Sequence, residues 1–319
     1  MNAVMIMCHK NIEQVMRLIR LCSSPETRII LHIDSKYALN AQQLADLEQM
    51  EDVFLTDERF SGVLDTRSLV DIAMCMVQKA KDVENLQGIH FDYYMLLSGQ
   101  DYLIKPISYI NDALRQAYPE PLIDCTPHAK GNWVFYKFRF APSVYAMSNW
   151  MEAYRSPLCK PVLLCARILR KLLYTALSLL HMTDYDRFTQ QGVSLYGGSA
   201  WWILPDVVID YICSEFETNR PFVDRLLNTL TPEETFFQIM SMRSPLKDRI
   251  HINPPDMVAQ HCKTWAYFSD VDKPFMGHPY IFTVNEYDRL MSSDFWIARK
   301  FDSNVDSEIL DMLDSALSS

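Results

Sequence analysis

An open, mostly parallel α/β sheet flanked by helices is the fold class this sequence predicts, and three observations predict it. Apolar runs of strand length alternate with stretches whose apolar residues recur at helical spacing. With 319 residues, 49% hydrophobic and 22% charged, the chain can bury a large core. Polar groups follow the apolar runs repeatedly, as they do where ligands bind at the carboxyl ends of parallel strands.

The elements follow in order. Ala3–Cys8 is a continuous apolar strand, and Ile12–Leu21 places its apolar residues on one helical face. Arg28–Ile33 (strand), Ala41–Met50 (helix), Val53–Thr56 (strand), Ser68–Lys81 (helix), Tyr93–Leu97 (strand) and Ile107–Ala117 (helix) complete the alternation. One large domain is expected, with a ligand-binding half over 1–125 and a second half over 126–319. The predicted strand ends carry His9, His32-x-Asp34 and Ser98-Gly-Gln-Asp101. Singly, each is an ordinary turn or cap residue; together they mark a nucleotide-type site. No G-x-G-x-x-G, P-loop, G-x-S-x-G or H-E-x-x-H occurs, so the common dinucleotide, NTPase, serine-hydrolase and zinc-protease readings lose support.

Composition narrows partners and setting. A net charge of -10 disfavours a phosphate-backbone binder, and nucleic acid is not an expected partner. The eight cysteines include no C-x-x-C, and several lie in apolar runs such as Met74-Cys75-Met76; reduced core thiols are expected. The apolar N-terminal run has no basic residues before it, and no N-x-S/T sequon occurs. A cytoplasmic setting is the expectation. Residues 161–182 are largely apolar but interrupted by Arg167, Arg170 and Lys171, leaving uncharged runs short of the roughly 20 residues a membrane span needs. The segment either packs on the core or rests as a basic amphipathic helix on a membrane surface.

Two later runs bear on chemistry. Gly197-Gly-Ser-Ala-Trp-Trp-Ile-Leu-Pro205 places small residues and aromatics ahead of Thr231-Pro-Glu-Glu-Thr-Phe-Phe237. Thr231-x-x-Glu234 with Pro232 at the first helical position has the form of a capping box. The same placement suits a general base kept ionised by the helix dipole. Spacing alone leaves both open.

Five runs in order, His32-Ile-Asp-Ser-Lys36, Tyr94 to Pro106, Gly197-Gly-Ser-Ala-Trp-Trp202, Thr231-Pro-Glu-Glu234 and Arg299-Lys-Phe-Asp302, resemble the core-2/I-branching β-1,6-N-acetylglucosaminyltransferases and the related peptide O-xylosyltransferases. The resemblance runs from about His9 to Asp302. It implies a GT-A-type fold and inverting transfer of a sugar, GlcNAc or xylose first among the candidates, from a UDP-sugar without metal or other cofactor. It casts Glu234 as catalytic base, Lys300 on the diphosphate, Asp34 on the nucleoside, and Trp265 with Tyr267 on the acceptor sugar. His9, Asp101 and Arg299 join the donor-binding candidates, and Gly198, Ser199 and Trp201 those beside the reacting sugar. A second basic residue of the animal enzymes aligns near Gly277 or His278, where no arginine stands; Arg299 or His278 is its substitute. The aromatic-rich segment under the base appears as Ser61-Gly-Val-Leu-Asp-Thr-Arg-Ser68. With no anchor, the chain is expected to be a soluble, bacterial-type member, with an oligosaccharide or lipid-linked glycan as acceptor and peripheral membrane contact through 161–182. Lys130 to Arg139, with Trp133 and Tyr136, is expected to contribute to acceptor choice.

Three competing readings remain. Asp184-Tyr-Asp186 and Asp270-Val-Asp272 have the D-x-D form of metal-dependent transferases, but neither follows an apolar strand in the first half. A metal-dependent phosphohydrolase would use His9, His32, Asp34 and Asp101. A non-catalytic glycan binder would use Trp201, Trp202, Trp265 and Tyr267.

Overall fold

The computed structural model describes residues 1–64, 66–129, 172, 175–176, 179–180, 184–229, 231–254, 261–266 and 279–317. Most of 161–182, the 130–139 segment, Tyr267, Asp270, Asp272, Gly277 and His278 therefore lie outside the described residues.

The alternation is observed. β1 (Asn2–Cys8), α1 (Ile12–Cys22), β2 (Thr27–Ile33), α2 (Ala41–Glu48), β3 (Val53–Leu55), α3 (Arg67–Gln87), β4 (Tyr93–Ser98), β5 (Asp101–Leu103) and α4 (Ile107–Ala117) follow in order. The later elements are β6 (Thr126–Pro127), α5 (Asp184–Gln190), β7 (Tyr196–Gly197), β8 (Ile203–Pro205), α6 (Asp206–Thr218), α7 (Arg220–Leu227), a 3₁₀ turn Pro232–Glu234, α8 (Phe236–Ser241), β9 (Thr264–Ala266), α9 (Tyr287–Met291), β10 (Ile297–Arg299) and α10 (Glu308–Leu317).

The main sheet has the order β3-β2-β1-β4-β8. Its first four strands are parallel, and β8 runs antiparallel to β4. A smaller sheet, β5-β10-β9, pairs β10 antiparallel with β5 and parallel with β9. The chain is thus α/β with a mostly parallel central sheet, and both sheets draw strands from each half.

Side chains alternate across the sheet with period two. Ala3 and Met5 enter a core with Ile72, Met76, Trp202 and Phe237, while Val4 and Ile6 enter a second core with Val15, Ile19, Leu97 and Leu310. Burial on both faces explains why β1 reads as an unbroken apolar run. Among the described residues, no helix is long and apolar enough to cross a membrane, and Cys8, Cys22, Cys125 and Cys262 are buried free thiols.

Candidate active site

The carboxyl ends of β1, β2 and β4 open into a cavity of about 650 Å³. His9, His32, Asp34, Ser98 and Gln100 line it from those ends; Ser199, Ala200, Trp201, Glu233 and Glu234 come from the second half, and Arg299 and Lys300 from the end of β10. Seven of the candidate base, donor-binding and sugar-binding residues, His9, Asp34, Ser199, Trp201, Glu234, Arg299 and Lys300, share this one space.

Asp34 is buried and held by backbone donors. Its Oδ1 accepts from Lys36 N–H at 2.8 Å and its Oδ2 from Gly62 N–H at 2.7 Å. Nearby, His32 Nε2 accepts from Phe60 N–H at 3.0 Å. Both bonds fold the segment after β3 over the cavity, where Gly62 and Leu64 form part of the wall. A methyl at Gly62 would meet Leu69, Asp34 and Ile72 at 3.2–3.3 Å, so a larger residue there would press on the side chains that it meets. Burial and Arg59, opposed by Asp34, lower the His32 pKa to about 4; the ring is neutral at pH 7 and free to accept.

A cationic corner forms where β10 meets the end of β1. Lys300 is lowered from its usual range by burial first, then by Arg299 and Lys10, with Asp101 and Asp302 opposing. His9 is lowered by burial and by Lys10, Lys300 and Arg299, against Asp34. Lys10 is itself paired with Asp302 at 2.7 Å. Positive groups crowded enough to disfavour one another's charge make a site that an anion would relieve.

Asp101 is corrected by the structure. Its side chain is fully buried, accepting from Ser98 N–H at 2.7 Å and pairing with Arg299 Nη1 at 2.6 Å. It is not on the cavity wall but beneath Arg299, whose guanidinium also lies 4.4 Å from the Trp201 ring centroid. The planar cation is held between a carboxylate and an indole. Arg299 Nη1 also donates to Ser98 Oγ at 2.6 Å.

The capping-box expectation fails. Thr231 has φ 46 and ψ 54, its side chain makes no cap hydrogen bond, and Pro232–Glu234 is a three-residue 3₁₀ turn. α8 begins only at Phe236 and has six residues, so Glu234 does not sit in the first turn of a helix with a large dipole. A left-handed Thr231 turns the chain before Pro232, which no periodicity rule anticipates. Glu234 is exposed and faces the cavity, while the neighbouring Glu233, not singled out from the sequence, is buried against it.

Gly197 and Gly198 are needed for contact. A Cβ at Gly198 would lie 1.9 Å from the Asp124 carbonyl oxygen, and one at Gly197 2.0 Å from His128 Nε2. Gly198 does not line the cavity; its N–H donates to the Glu234 carbonyl at 2.9 Å, fixing the wall behind Ser199. Of the two tryptophans, Trp201 faces the cavity and Trp202 is core, 4.6 Å from the Phe237 ring. Both precede β8 rather than lying in it.

Trp265, expected on the acceptor sugar, does not line this cavity. It stacks on Phe295 at 5.7 Å and 14°, contacts Phe282, and has Arg289 4.8 Å over its face. Successive strand residues point to opposite faces, and in β9 it is Ala266 that reaches the cavity. Asp184 and Asp186 open α5 rather than follow a strand, unlike the D-x-D placement considered above. Among the described residues no three His, Cys, Asp or Glu side chains are grouped to hold a metal ion. Within the phosphohydrolase set, Asp101 serves Arg299 and His32 Nε2 serves Phe60, so their donor atoms are already committed.

No protein-family model matches the chain. No curated protein matches it either. Among solved structures, S. aureus TarS 1-349 in complex with UDP-GlcNAc is similar at 11% identity and a TM-score of 0.27, over 43% of this chain and 39% of that one. The overlap spans under half of either chain.

Proposed function

We propose that the protein is an inverting glycosyltransferase of GT-A-type architecture that moves a sugar from a UDP-sugar to a glycan hydroxyl without metal. The observation carrying this reading is one cavity in which Arg299 and Lys300 meet Glu234, with Asp34 on a strand end of the same space. The motif resemblance assigns the roles, and the chemistry is consistent with them. Glu234 takes the proton from the acceptor hydroxyl, whose oxygen attacks the anomeric carbon on the face away from the diphosphate. The bond to the diphosphate breaks, and its electron pair and negative charge pass to the departing phosphate oxygen. Lys300 and Arg299 stabilise that charge, supplying what a divalent ion supplies in metal-dependent enzymes. A bound dianion also favours the charged form of Lys300, opposing the lowering by burial and by Arg299.

Asp34 is the nucleoside contact, and the Trp201 wall lies beside the transferred sugar, whose apolar face suits an indole. GlcNAc and xylose are the first donors to test, with galactose and glucose next. The proposed acceptor is an oligosaccharide or a lipid-linked glycan, such as a surface-glycan precursor, the latter reached at a membrane surface.

The test is release of UDP from a panel of UDP-sugars, with and without glycan acceptors, in excess EDTA. Acceptor-stimulated release that survives EDTA supports the reading. Release abolished by EDTA and restored by Mn²⁺ would transfer the diphosphate role to a metal, and phosphate release without an acceptor, in a parallel assay with Mn²⁺ and no EDTA, would favour the hydrolase.

A further inference from the structure

Two hydrogen bonds join the cavity wall to the turn that carries Glu234 and to the helix that follows it. Gly198 N–H donates to the Glu234 carbonyl at 2.9 Å, and Gln238 Nε2 donates to the Ser199 carbonyl at 2.7 Å. Gln238 is fully buried on α8, four residues beyond Glu234 in sequence. Its Oε1 accepts no hydrogen bond among the described residues. Burying an unsatisfied amide oxygen is costly, and an apolar side chain of the same shape would avoid that cost. The amide's contribution therefore lies in its bond to Ser199.

That bond has consequences along the wall. Ser199 leads through Ala200 to Trp201, whose ring lies against the Arg299 guanidinium at 4.4 Å, and Arg299 is anchored on buried Asp101. The wall cannot yield backwards at Gly198, where the Asp124 carbonyl leaves no room for even a methyl group. Contacts thus run from the Glu234 turn through Gln238, Ser199 and Trp201 to the cationic corner.

We propose that Gln238 is a positioning residue that sets the Glu234 carboxylate at a fixed separation from the Arg299–Lys300 corner. The proposal rests on the reading of Glu234 as the base. A displacement of about 1 Å between reacting groups can cost on the order of a hundredfold in rate. Gln238→Met, which keeps the shape and removes the donor, should lower kcat by about ten- to a hundredfold while the KM for the UDP-sugar stays within about twofold. Gln238→Glu adds a readout that a packing role would not move. Ionised, the new carboxyl cannot donate to Ser199; protonated, it can. Burial raises the pKa of the new carboxyl, so the kcat of this variant relative to the parent protein should fall as pH rises from 6 to 9 and the carboxyl ionises.

UDP binding by calorimetry establishes that each variant is folded, and if Gln238→Met does not fold, the Gln238→Glu profile decides. Parent-like kcat in Gln238→Met, or in Gln238→Glu at a pH where infrared spectroscopy shows the new carboxyl to be ionised, overturns the proposal while leaving the transferase reading intact. Absence of turnover by the parent protein with every UDP-sugar overturns that reading and this proposal together.

Discussion

Through residue 117 the helices are 11, 8, 21 and 11 residues long, whereas the elements bearing Glu234, Trp265 and Arg299 are each three residues long. The first region is organised by side-chain periodicity and caps, such as Asn40 with Gln43 at the start of α2. Segments as short as those in the second have no stability of their own. They are placed by bonds across the chain: Gly198 to Glu234, Gln238 to Ser199, and Arg299 to Asp101. The first region therefore supplies a frame, and the second supplies cavity residues whose positions depend on partners distant in sequence.

Four measurements test that contrast, in descending order of effect. Glu234→Gln should lower turnover by about 10²- to 10⁴-fold while leaving UDP affinity and the melting temperature near those of the parent, because its carboxylate is exposed. Retained turnover would remove the base assignment. Asp101→Asn should destabilise the fold by about 3 kcal/mol in urea titration, the lower end for breaking a buried ion pair, since Arg299 keeps 15% exposure. It should also weaken UDP binding; a loss of binding with unchanged stability would mean that Asp101 acts on the ligand directly.

The third measurement concerns the frame. The His32 pKa is about 4 in the fold against an ordinary 6.5, so between these values the unfolded chain binds more protons. Stability is then fully present above about pH 6.5 and falls as pH drops towards 4, by on the order of 3 kcal/mol. Urea titrations of the parent and His32→Asn at pH 4.5, 5.5 and 7 should show a smaller slope in the variant. Equal slopes would place acid sensitivity elsewhere. The smallest effect is expected of Lys300→Ala, which should weaken UDP binding by about ten- to a hundredfold with little change in melting temperature. Because Lys300 is lowered and binds only as a cation, parent affinity should decline on the alkaline side earlier than an ordinary lysine would allow.

The same contrast explains what was legible. The predicted element boundaries through α4 agree with the structure to within a residue or two except for α3, which continues to Gln87, beyond the predicted Lys81. Strand-end polarity led to His9, Asp34 and the Ser98 turn, and motif order led to Glu234, Arg299 and Lys300. Glu233 and Gln238 were legible only in part: one adjoins the proposed base, and the other follows it at helical spacing. Neither position reveals burial or a partner.

What the sequence determined by itself is the α/β alternation and the residue types gathered in the cavity, since both follow from local periodicity and ordered motifs. Tertiary structure decided which of two similar residues does which job. Asp34 and Asp101 both follow apolar runs, yet one faces the cavity and the other neutralises an arginine 198 residues away. Trp201 and Trp265 both adjoin the site in sequence, yet one touches Arg299 and the other packs among Phe282 and Phe295. Thr231 has the letters of a cap but a left-handed backbone. For the two pairs the physical reason is the same: local pattern sets the direction of the chain, while the nearest charge or ring that a side chain meets comes from remote sequence.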